Sequence, residues 1–428
     1  MAEEDWQFAI EESELEEGEP ARVKVGDEKV LLVRLGGKIH ACGGTCTHYG
    51  GPLHKGLLKE NEVTCPWHSA RFDVETGQAT SPPALNDAGC FPVKVEDGKV
   101  YVGAKKKPAP NGREEGDDRT FLIVGGGAAG NSAAETLRRE GFGGRIVMLT
   151  PESDRPYDRP SLSKEFLSGE APSKWIPLHG SSFYEKRDIE IRTGCRAAEL
   201  VPDEHVVRLE SGEEVAYDRV LCATGGRPNE LDIPGAELDG CYTLRSFQDA
   251  RDIVSALDDA ERAVIIGAGF IGMEAAAALR EREMEVRVVA PEEVPLARVF
   301  GEGTGRWLYS MHCDHGVEFH LGTTPDAIRG SGHVEEVQLA DGDHLNADFV
   351  LTAVGISPVV DWLESSGVVE DGVVPVDSQF RTKAENVFAA GDIAAVPADL
   401  SGLRHRVEHW VSAERQGQHA AQAMLGNK

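Results

Sequence analysis

The sequence predicts an α/β protein that begins with an all-β domain and continues with two parallel-sheet units. Two apolar strands, 121–124 and 263–266, each lead through a glycine-rich turn into a helix-forming segment, 131–140 and 273–283. The first part of the chain instead alternates short β-type runs with turns. A polar stretch rich in lysine, proline and glycine, 105–118, separates the two regions and is predicted to be a linker.

Length and composition limit the classes of protein. The chain has 428 residues and 40% hydrophobic content, which suits roughly three domains with packed cores. Lys and Arg number 44 against 73 Asp and Glu, and the net charge of −29 argues against nucleic-acid or anionic-membrane partners. No apolar run approaches the ~20 residues that span a bilayer, and the acidic N-terminus does not resemble a secretory signal. We therefore expect a cytoplasmic protein without a membrane or nucleic-acid partner.

The first domain, residues 1–104, is predicted to be built from β-hairpins. Its β-type runs are Ala21–Val25, Lys29–Leu35, Glu62–Cys65 and Val93–Val102. Two loops carry Cys46-x-His48 and Cys65-x-x-His68, with sixteen residues between the motifs. Two thiolates and two imidazoles from paired loops fit a Rieske 2Fe–2S cluster, in which two Cys bind one iron and two His the other. A zinc site accepts the same ligands and stays an alternative, although zinc spacings more often pair like with like.

With their flanking segments, these two loops resemble those of Rieske ferredoxin domains, and the resemblance covers about Ile10–Val102. Some Rieske proteins join the two loops by a disulfide. The corresponding positions here are Gly51 and Trp67, so this bridge is expected to be absent. Cys42 and Cys90 lie outside the motif and are predicted to be buried structural thiols.

The first glycine turn has the form of a dinucleotide-binding motif. Its glycines are Gly125, Gly127 and Gly130. The first permits a tight turn, the second lets the backbone approach a pyrophosphate, and the third allows helix and strand to pack closely. The helix N-terminus then offers N–H groups and partial positive charge to the phosphates. Beyond the next strand, Glu152 is the candidate ligand of the ribose.

The second glycine turn repeats this pattern with Gly267, Gly269 and Gly272. Two complete units in one chain predict two bound dinucleotides, of which the second is NAD(P)H.

The residues after the second strand of this unit bear on the choice between NADH and NADPH. The usual acidic ribose ligand is replaced by Ala290, and no arginine stands there to bind a 2′-phosphate. We therefore expect NADH, with Glu292 as a substitute ligand. Arg298 keeps NADPH open as the alternative.

The segment 155–164, together with the first glycine turn, resembles the FAD domain of oxygenase-coupled ferredoxin reductases and of apoptosis-inducing-factor-like flavoproteins. The resemblance implies that Arg159 and Ser161 contact FAD and that Lys164 lies beside the flavin ring, paired with Glu274. The helix dipole would also favour an acidic residue at position 274. We favour the pair, because paired charges at a buried redox site are otherwise costly.

Three further segments resemble FAD-contacting parts of this family: an Ala-Thr-Gly crossing, a Gly-Asp motif whose Asp bonds the ribityl chain, and a final helix. The residues that the resemblance implies as cofactor contacts are Thr224, Gly225, Gly391, Asp392, Glu408, Trp410 and Gln416. These segments predict a flavoprotein with two Rossmann domains that binds two dinucleotides. Its FAD domain is discontinuous, 119–231 and 346–428, with the NAD(P)H domain at 232–345 inserted between.

Two departures from the wider family matter. Its members usually continue with a smaller C-terminal domain, which is expected to be missing here, so the oligomeric state is left open. No Cys pair follows the first helix, where disulfide reductases carry theirs, which disfavours a disulfide-reductase mechanism.

The predicted function is an NAD(P)H-dependent flavoprotein oxidoreductase. Electrons would pass from NADH through FAD to the Rieske cluster, and then to an acceptor protein or small-molecule oxidant that docks near His48 or His68. One alternative is an NADH-responsive redox sensor of apoptosis-inducing-factor-like type with incidental turnover. The other is the reductase component of an oxygenase or nitrite-reducing system.

Overall fold

The computed structural model describes residues 6–48, 50–84, 86–106, 116–398 and 403–426. Most of the predicted linker, 107–115, lies outside them. The chain divides into two compact units. The first comprises residues 1–118, 131–144 and 408–428, and the second comprises 119–130 and 145–407. The domain boundaries expected from the sequence remain predictions.

The N-terminal part of the first unit is made of antiparallel sheets. Its strands are β1 (Gln7–Glu11), β2 (Ala21–Val25), β3 (Glu28–Leu35), β4 (Lys38–Gly43), β5 (Leu57–Lys59), β6 (Glu62–Thr64), β7 (Arg71–Asp73), β8 (Ala79–Ser81), β9 (Val93–Glu96) and β10 (Lys99–Val102). Three sheets have the orders β1-β10-β9, β2-β3-β4 and β5-β6-β7-β8. The predicted all-β organisation is confirmed.

Strand β3 lies between two hydrophobic cores because both of its faces are buried. Leu31 and Val33 pack with Phe72 on one side. Val30 and Leu32 pack with the core on the other side. Successive side chains of a strand point to opposite faces, so β3 serves both cores at once.

The helices are α1 (Ala128–Arg139), α2 (Glu165–Ser168), α3 (Ser181–Glu185), α4 (Phe247–Ala256), α5 (Phe270–Glu281), α6 (Ala297–Asp314) and α7 (Trp410–Leu425). Helix α6 is interrupted at Gly301, whose φ is 78°. Within the described residues, none of these helices combines the length and apolarity that a membrane crossing requires.

The second unit contains two parallel sheets of the same design. Their strands are β11 (Thr120–Val124), β12 (Arg145–Leu149), β13 (Ile189–Arg192), β17 (Arg219–Cys222), β19 (Cys241–Thr243), β20 (Arg262–Ile266), β21 (Glu285–Ala290), β22 (Val317–Leu321), β26 (Phe349–Thr352) and β29 (Val387–Ala389). The orders are β13-β12-β11-β17-β29 and β19-β26-β20-β21-β22. In each sheet the strand before the glycine turn, β11 or β20, lies in the centre with parallel neighbours on both sides.

The remaining strands form small separate sheets, which are antiparallel except for the parallel pair of β28 and β30. They are β14 (Ala197–Val201), β15 (Val206–Leu209), β16 (Glu214–Ala216), β18 (Gly226–Pro228), β23 (Pro325–Arg329), β24 (Glu336–Leu339), β25 (His344–Asn346), β27 (Ile356–Pro358), β28 (Val374–Pro375), β30 (Ala394–Ala398) and β31 (Leu403–His405). The hairpin sheets β14-β15-β16 and β23-β24-β25 have the same strand order, so the two halves of the unit resemble each other here too. Strand β18 pairs with β27.

The helices that follow the glycine turns begin earlier than predicted. Helix α1 starts at Ala128 rather than at residue 131, and α5 starts at Phe270 rather than at residue 273. The predicted starts are therefore wrong by three residues. Glycine is a poor helix former, so composition alone places the start after the motif. In the structure, Gly130 and Gly272 lie inside the first helical turn.

We expect Gly272→Ala to lower the stability of the second unit by about 1–3 kcal/mol. A Cβ at Gly272 would stand 2.0 Å from the carbonyl oxygen of Gly267, so the helix must move away from the turn. Thermal unfolding followed by circular dichroism measures this change. The matched control is Gly269→Ala, because a Cβ there meets nothing within 4 Å. Equal melting temperatures for the two variants would contradict this account of the turn.

Candidate functional site

The first glycine of each turn lies against the backbone of the residue that follows a neighbouring strand of the same sheet. Gly125 and Gly267 have φ values of 124° and 114°. A Cβ on them would fall 2.0 Å from the carbonyl oxygen of Ala223 and 2.4 Å from that of Ala353, respectively. Only glycine meets both the backbone conformation and the close approach. The two turns are therefore the same structure built twice.

The other glycines of the turns also match in pairs. The third glycines, Gly130 and Gly272, would place a Cβ 1.9 and 2.0 Å from the carbonyl oxygen of the first glycine. The middle glycines, Gly127 and Gly269, face open space, since a Cβ there meets nothing within 4 Å. Open space above a helix N-terminus fits the pyrophosphate of a dinucleotide.

Beyond β12, Glu152 lies in a hydrogen-bonded group with two other side chains. One carboxylate oxygen accepts from Arg159 Nη2 at 2.9 Å, and the other accepts from the Tyr157 hydroxyl at 2.5 Å. The Arg159 guanidinium lies 4.8 Å from the centre of the Tyr157 ring. Burial raises the pKa of Tyr157 above its usual range, so the phenol stays a donor. Glu152 and Arg159 are thus held together, and their contact with FAD remains a prediction.

A second charged group connects the Ala-Thr-Gly crossing with the Gly-Asp motif. Arg245 forms an ion pair with Asp392 at 3.0 Å. A Cβ on Gly225 would stand 3.1 Å from the guanidinium and 3.9 Å from the carboxylate. Arg159 donates to the backbone carbonyl of Arg245, so the two arginines are neighbours.

Arg245 was missed in the sequence because no motif surrounds it. Burial, and next the nearby charge of Arg159, lower its pKa, while Asp392 opposes them. Two neighbouring guanidinium groups in a half-buried position attract an anion, and their planar donors suit phosphate oxygens. Arg245 is therefore an additional candidate for the FAD site.

The remaining predicted FAD contacts of the second unit lie in local hydrogen-bond networks. The Thr224 hydroxyl donates to the carbonyl of Val359 at 2.6 Å and accepts from Trp362 Nε1 at 3.4 Å. The Ser161 hydroxyl donates to Asp158 at 2.6 Å. Gly391, just before Asp392, has a φ of 78°. Of these bonds, those of Thr224 fix the segment whose backbone borders the first glycine turn.

Lys164 and Glu274 form the ion pair that the resemblance implied. Lys164 Nζ lies 2.9 Å from Glu274 Oε2, and it also donates to the carbonyl of Pro160 at 3.1 Å. The Ser163 hydroxyl donates to the same Glu274 oxygen at 2.6 Å. The side chains of the pair are 41% and 29% exposed, and such pairs add only about 0–1 kcal/mol to stability. Stability therefore does not explain why three polar groups converge here.

The NAD(P)H candidates lie at the predicted strand end. Strand β21 ends at Ala290, and Glu292 follows as a half-buried side chain. Arg298 is exposed near the start of α6. The choice between NADH and NADPH stays a prediction at this point.

Glu408, Trp410 and Gln416 belong to the first unit. Trp410 begins α7, Gln416 is buried within it, and Glu408 is exposed before it. Their role as flavin neighbours remains a prediction.

The two Cys/His loops of the first unit have matching backbones. In the first loop, Cys46 N donates to Gly51 O at 2.8 Å, and Gly50 N donates to Cys46 O at 3.0 Å. In the second, Cys65 N donates to Ala70 O at 2.7 Å, and the amide four residues later donates to Cys65 O at 3.1 Å. Each loop therefore closes around its cysteine with the same pair of hydrogen bonds.

The cysteines of these loops are more deeply buried than the histidines, of which His48 is half-buried. Cys46 and Cys65 are 3% and 2% exposed. The His48 and His68 rings lie 4.9 Å apart, and His68 is exposed. This arrangement fits a Rieske cluster, which takes two Cys on one iron and two His on the other. Among the described residues, no three metal-binding side chains are arranged to hold one ion together.

Close contact between the loops also depends on glycine. A Cβ on Gly51 would stand 2.6 Å from Cys65 Sγ and 3.3 Å from the Trp67 ring. A larger residue at Gly51 would push the second loop away.

The remaining cysteines of this unit differ from expectation. Cys42 is fully buried, as predicted, but Cys90 is partly exposed, so the prediction of a buried thiol is wrong there. Cys90 is paired on both sides, with Cys42 and with Lys106, and hydropathy alone does not reveal that such a position is partly exposed.

A chain with two dinucleotide-binding turns on parallel sheets, and a paired Cys/His loop site, is an iron–sulfur flavoprotein oxidoreductase by its architecture. Residues 119–417 match the family of pyridine nucleotide-disulphide oxidoreductases, and residues 5–92 match the Rieske [2Fe-2S] domain. The chain belongs to this oxidoreductase family and carries an N-terminal Rieske domain. Its cofactors are FAD, a 2Fe–2S cluster and NADH, which decides against the zinc alternative.

Similar proteins agree with this assignment. Human (Homo sapiens) apoptosis-inducing factor 3 is 37% identical over 432 residues, which cover 97% of this chain and 71% of that protein. The ferredoxin–NAD(+) reductase subunit of the benzene 1,2-dioxygenase system of Pseudomonas putida is 34% identical, covering 72% of this chain and 74% of its own. The crystal structure of the ferredoxin reductase for the CYP199A2 system of Rhodopseudomonas palustris superposes with a TM-score of 0.70 at 30% identity, covering 72% and 77%.

We expect Arg245→Ala to weaken FAD binding roughly tenfold to a hundredfold, because a charged hydrogen bond contributes about 1.5–3 kcal/mol. Titration of the apoprotein with FAD, and the flavin content of the purified protein, measure this loss. Arg227→Ala is the control, since Arg227 is an exposed arginine of the same unit that pairs with Asp361. Equal FAD affinity in the two variants would remove Arg245 from the site.

Proposed function

We propose that the protein transfers electrons from NADH through FAD to its own Rieske cluster and then to an external acceptor. The observation that carries this proposal is the presence of both dinucleotide turns and the paired Cys/His loops in one chain. FAD, when bound, supplies the exchange between two-electron and one-electron transfer. The protein supplies binding, orientation and charge.

The chain's own residues have separable tasks in this proposal. The middle glycines, Gly127 and Gly269, leave room for the two pyrophosphates. Lys164, held by Glu274 and by the carbonyl of Pro160, keeps a fixed cation near the start of α5. The Ser163 hydroxyl fixes the Glu274 carboxylate. A cation fixed in this way stabilises negative charge that develops beside it without further reorganisation.

A contact inside the first unit joins the end of helix α1 to the Rieske domain. Helix α1, which starts in the FAD turn, ends at Arg139. The Arg139 guanidinium donates to the carbonyl of Ala79, in strand β8 of the Rieske domain, at 3.2 Å. Residues 131–144 accordingly cluster with the Rieske domain. Residues 131–139 of α1 and the Rieske domain thus belong to the same unit.

The histidine side of the cluster site is the exit in this proposal, because His68 is exposed whereas both cysteines are buried. The name of the Pseudomonas putida relative points to a partner class, since that protein is the ferredoxin–NAD(+) reductase subunit of a dioxygenase system. We infer that the acceptor is an electron-transfer or oxygenase component, or a small oxidant. The cytoplasmic location and the lack of membrane and nucleic-acid partners stay predictions of the sequence.

The test of the internal chain is anaerobic mixing with NADH, followed by flavin absorbance and the Rieske EPR signal. We expect the flavin to bleach first and the cluster to be reduced after it. Cys46→Ser is expected to abolish the cluster signal while flavin bleaching keeps its rate, because Cys46 belongs to the cluster loops and not to either dinucleotide turn. Cys195→Ser, a partly exposed cysteine far along the chain, is the control.

Two results would overturn this proposal. A cluster that stays oxidised for minutes beside a bleached flavin would show that the two modules do not communicate. A long-lived reduced flavin with negligible steady-state turnover would instead support the NADH-responsive sensor.

We expect the wild-type protein to prefer NADH, and Glu292→Ala to reduce this preference about tenfold. Loss of a carboxylate that accepts from a ribose hydroxyl costs about 1–3 kcal/mol, and the loss also removes repulsion of a 2′-phosphate. The ratio of kcat/KM for NADH and NADPH measures the change. Glu293→Ala is the matched control, because the Glu293 carboxylate turns towards Gly322. An unchanged ratio in Glu292→Ala, or an equal change in both variants, would contradict the assignment.

A further inference from the structure

Two cysteines that take no part in the cluster motif face each other in the first unit. Cys42, in β4, forms an antiparallel bridge with Cys90. The hydrogen bonds on either side of them run from Gly43 N to Gly89 O (3.0 Å) and from Phe91 N to Ala41 O (2.9 Å). No backbone hydrogen bond joins Cys42 to Cys90 directly in this pattern, so they are a non-hydrogen-bonded pair of the antiparallel ladder.

This type of pair brings side chains especially close. The Cα atoms of a non-hydrogen-bonded pair are about 4.5 Å apart, and both side chains point to the same face of the sheet. Disulfides span Cα separations of roughly 4.4–6.8 Å. The backbone of β4 and its neighbour therefore already has a spacing at which a Cys42–Cys90 bond forms.

The two thiols differ in access. Cys42 is completely buried, whereas Cys90 is partly exposed. Both are free thiols in the structure. A small oxidant can therefore reach Cys90 from solvent. Burial raises the pKa of the Cys42 thiol to about 12, so the attack of Cys42 on the Cys90 sulfur is the slow step.

We propose that Cys42 and Cys90 form a reversible thiol–disulfide site that responds to low-molecular-weight disulfides. The Cys90 thiolate attacks one sulfur of a small disulfide, a mixed disulfide forms, and one small thiolate leaves. The Cys42 thiolate then attacks the Cys90 sulfur, and the second small thiolate leaves. Two protein thiols are oxidised, one small disulfide is reduced to two thiols, and the two protons pass to the released thiolates.

The position of the pair gives the bond a consequence for the cluster site. Cys46 follows Cys42 after a short turn, in which Gly44 N donates to Lys29 O at 2.8 Å. The bond would fix the end of β4, from which the first cluster loop departs, to the segment that contains Cys90. On the other side, Cys90 forms a second bridge with Lys106, so this segment is paired on both sides. We expect the oxidised form to lose iron to a chelator several-fold more slowly than the reduced form.

The experiment uses the complete, cluster-loaded protein. It is incubated with oxidised glutathione as the probe, alkylated and digested with trypsin, and the peptides are identified by mass spectrometry. We expect a linked pair of peptides, 39–55 and 72–94, which separates again after treatment with dithiothreitol. The visible absorption of the oxidised cluster, recorded before digestion, verifies that Cys46 and Cys65 still hold iron.

Single cysteine variants identify the two residues that form the bond. Because the 39–55 peptide also contains Cys46, Cys42→Ala must abolish the link while the visible absorption of the cluster persists. Cys90→Ala must abolish it too, and Cys313→Ala, a partly exposed cysteine elsewhere, must leave it unchanged. Recovery of Cys42 and Cys90 as separately alkylated residues after oxidation would overturn the proposal. So would a lasting mixed disulfide on Cys90 without the internal link.

Discussion

The architecture depends on the close approach of two backbones at each glycine turn. Gly125 and Gly267 touch the carbonyl oxygens of Ala223 and Ala353 at distances that leave no room for a side chain. This contact fixes the central strand of each parallel sheet against its neighbour and sets where the following helix begins. The middle glycine is then left facing open space. Two such turns give one chain two equivalent places for a dinucleotide.

Close packing at a glycine also determines the arrangement of the Rieske loops. Gly51 allows the first loop to lie against Cys65 and Trp67, and matching hydrogen bonds close each loop around its cysteine. The result places both thiols in the core and an imidazole at the surface. A burial difference of this kind gives the site an inner and an outer side, which suits a centre that receives electrons within the protein and passes them outward. The pair of Lys164 and Glu274 adds little to stability, so its geometry is consistent with the proposed role beside the flavin.

Local sequence patterns predicted much of this organisation. The glycine turns, the strands before them and the Cys/His loops are all encoded in short segments, so their residue spacing was sufficient. Contacts across long sequence distances were not predictable in this way. Arg245 meets Asp392 only because the chain folds back, and Ser163 reaches Glu274 through tertiary packing. The helix starts were misplaced because close packing overrides the low helix propensity of glycine. Cys42 and Cys90 lie opposite each other because of the strand register, which composition does not reveal.

The central claim is that electrons pass from the flavin to the cluster within one molecule. The most direct measurement is the rate of cluster reduction after rapid anaerobic mixing with saturating NADH, repeated over a wide range of protein concentration. Transfer within a chain predicts a first-order rate that does not change with concentration. A rate that rises in proportion to protein concentration would show transfer between separate molecules and would contradict the account.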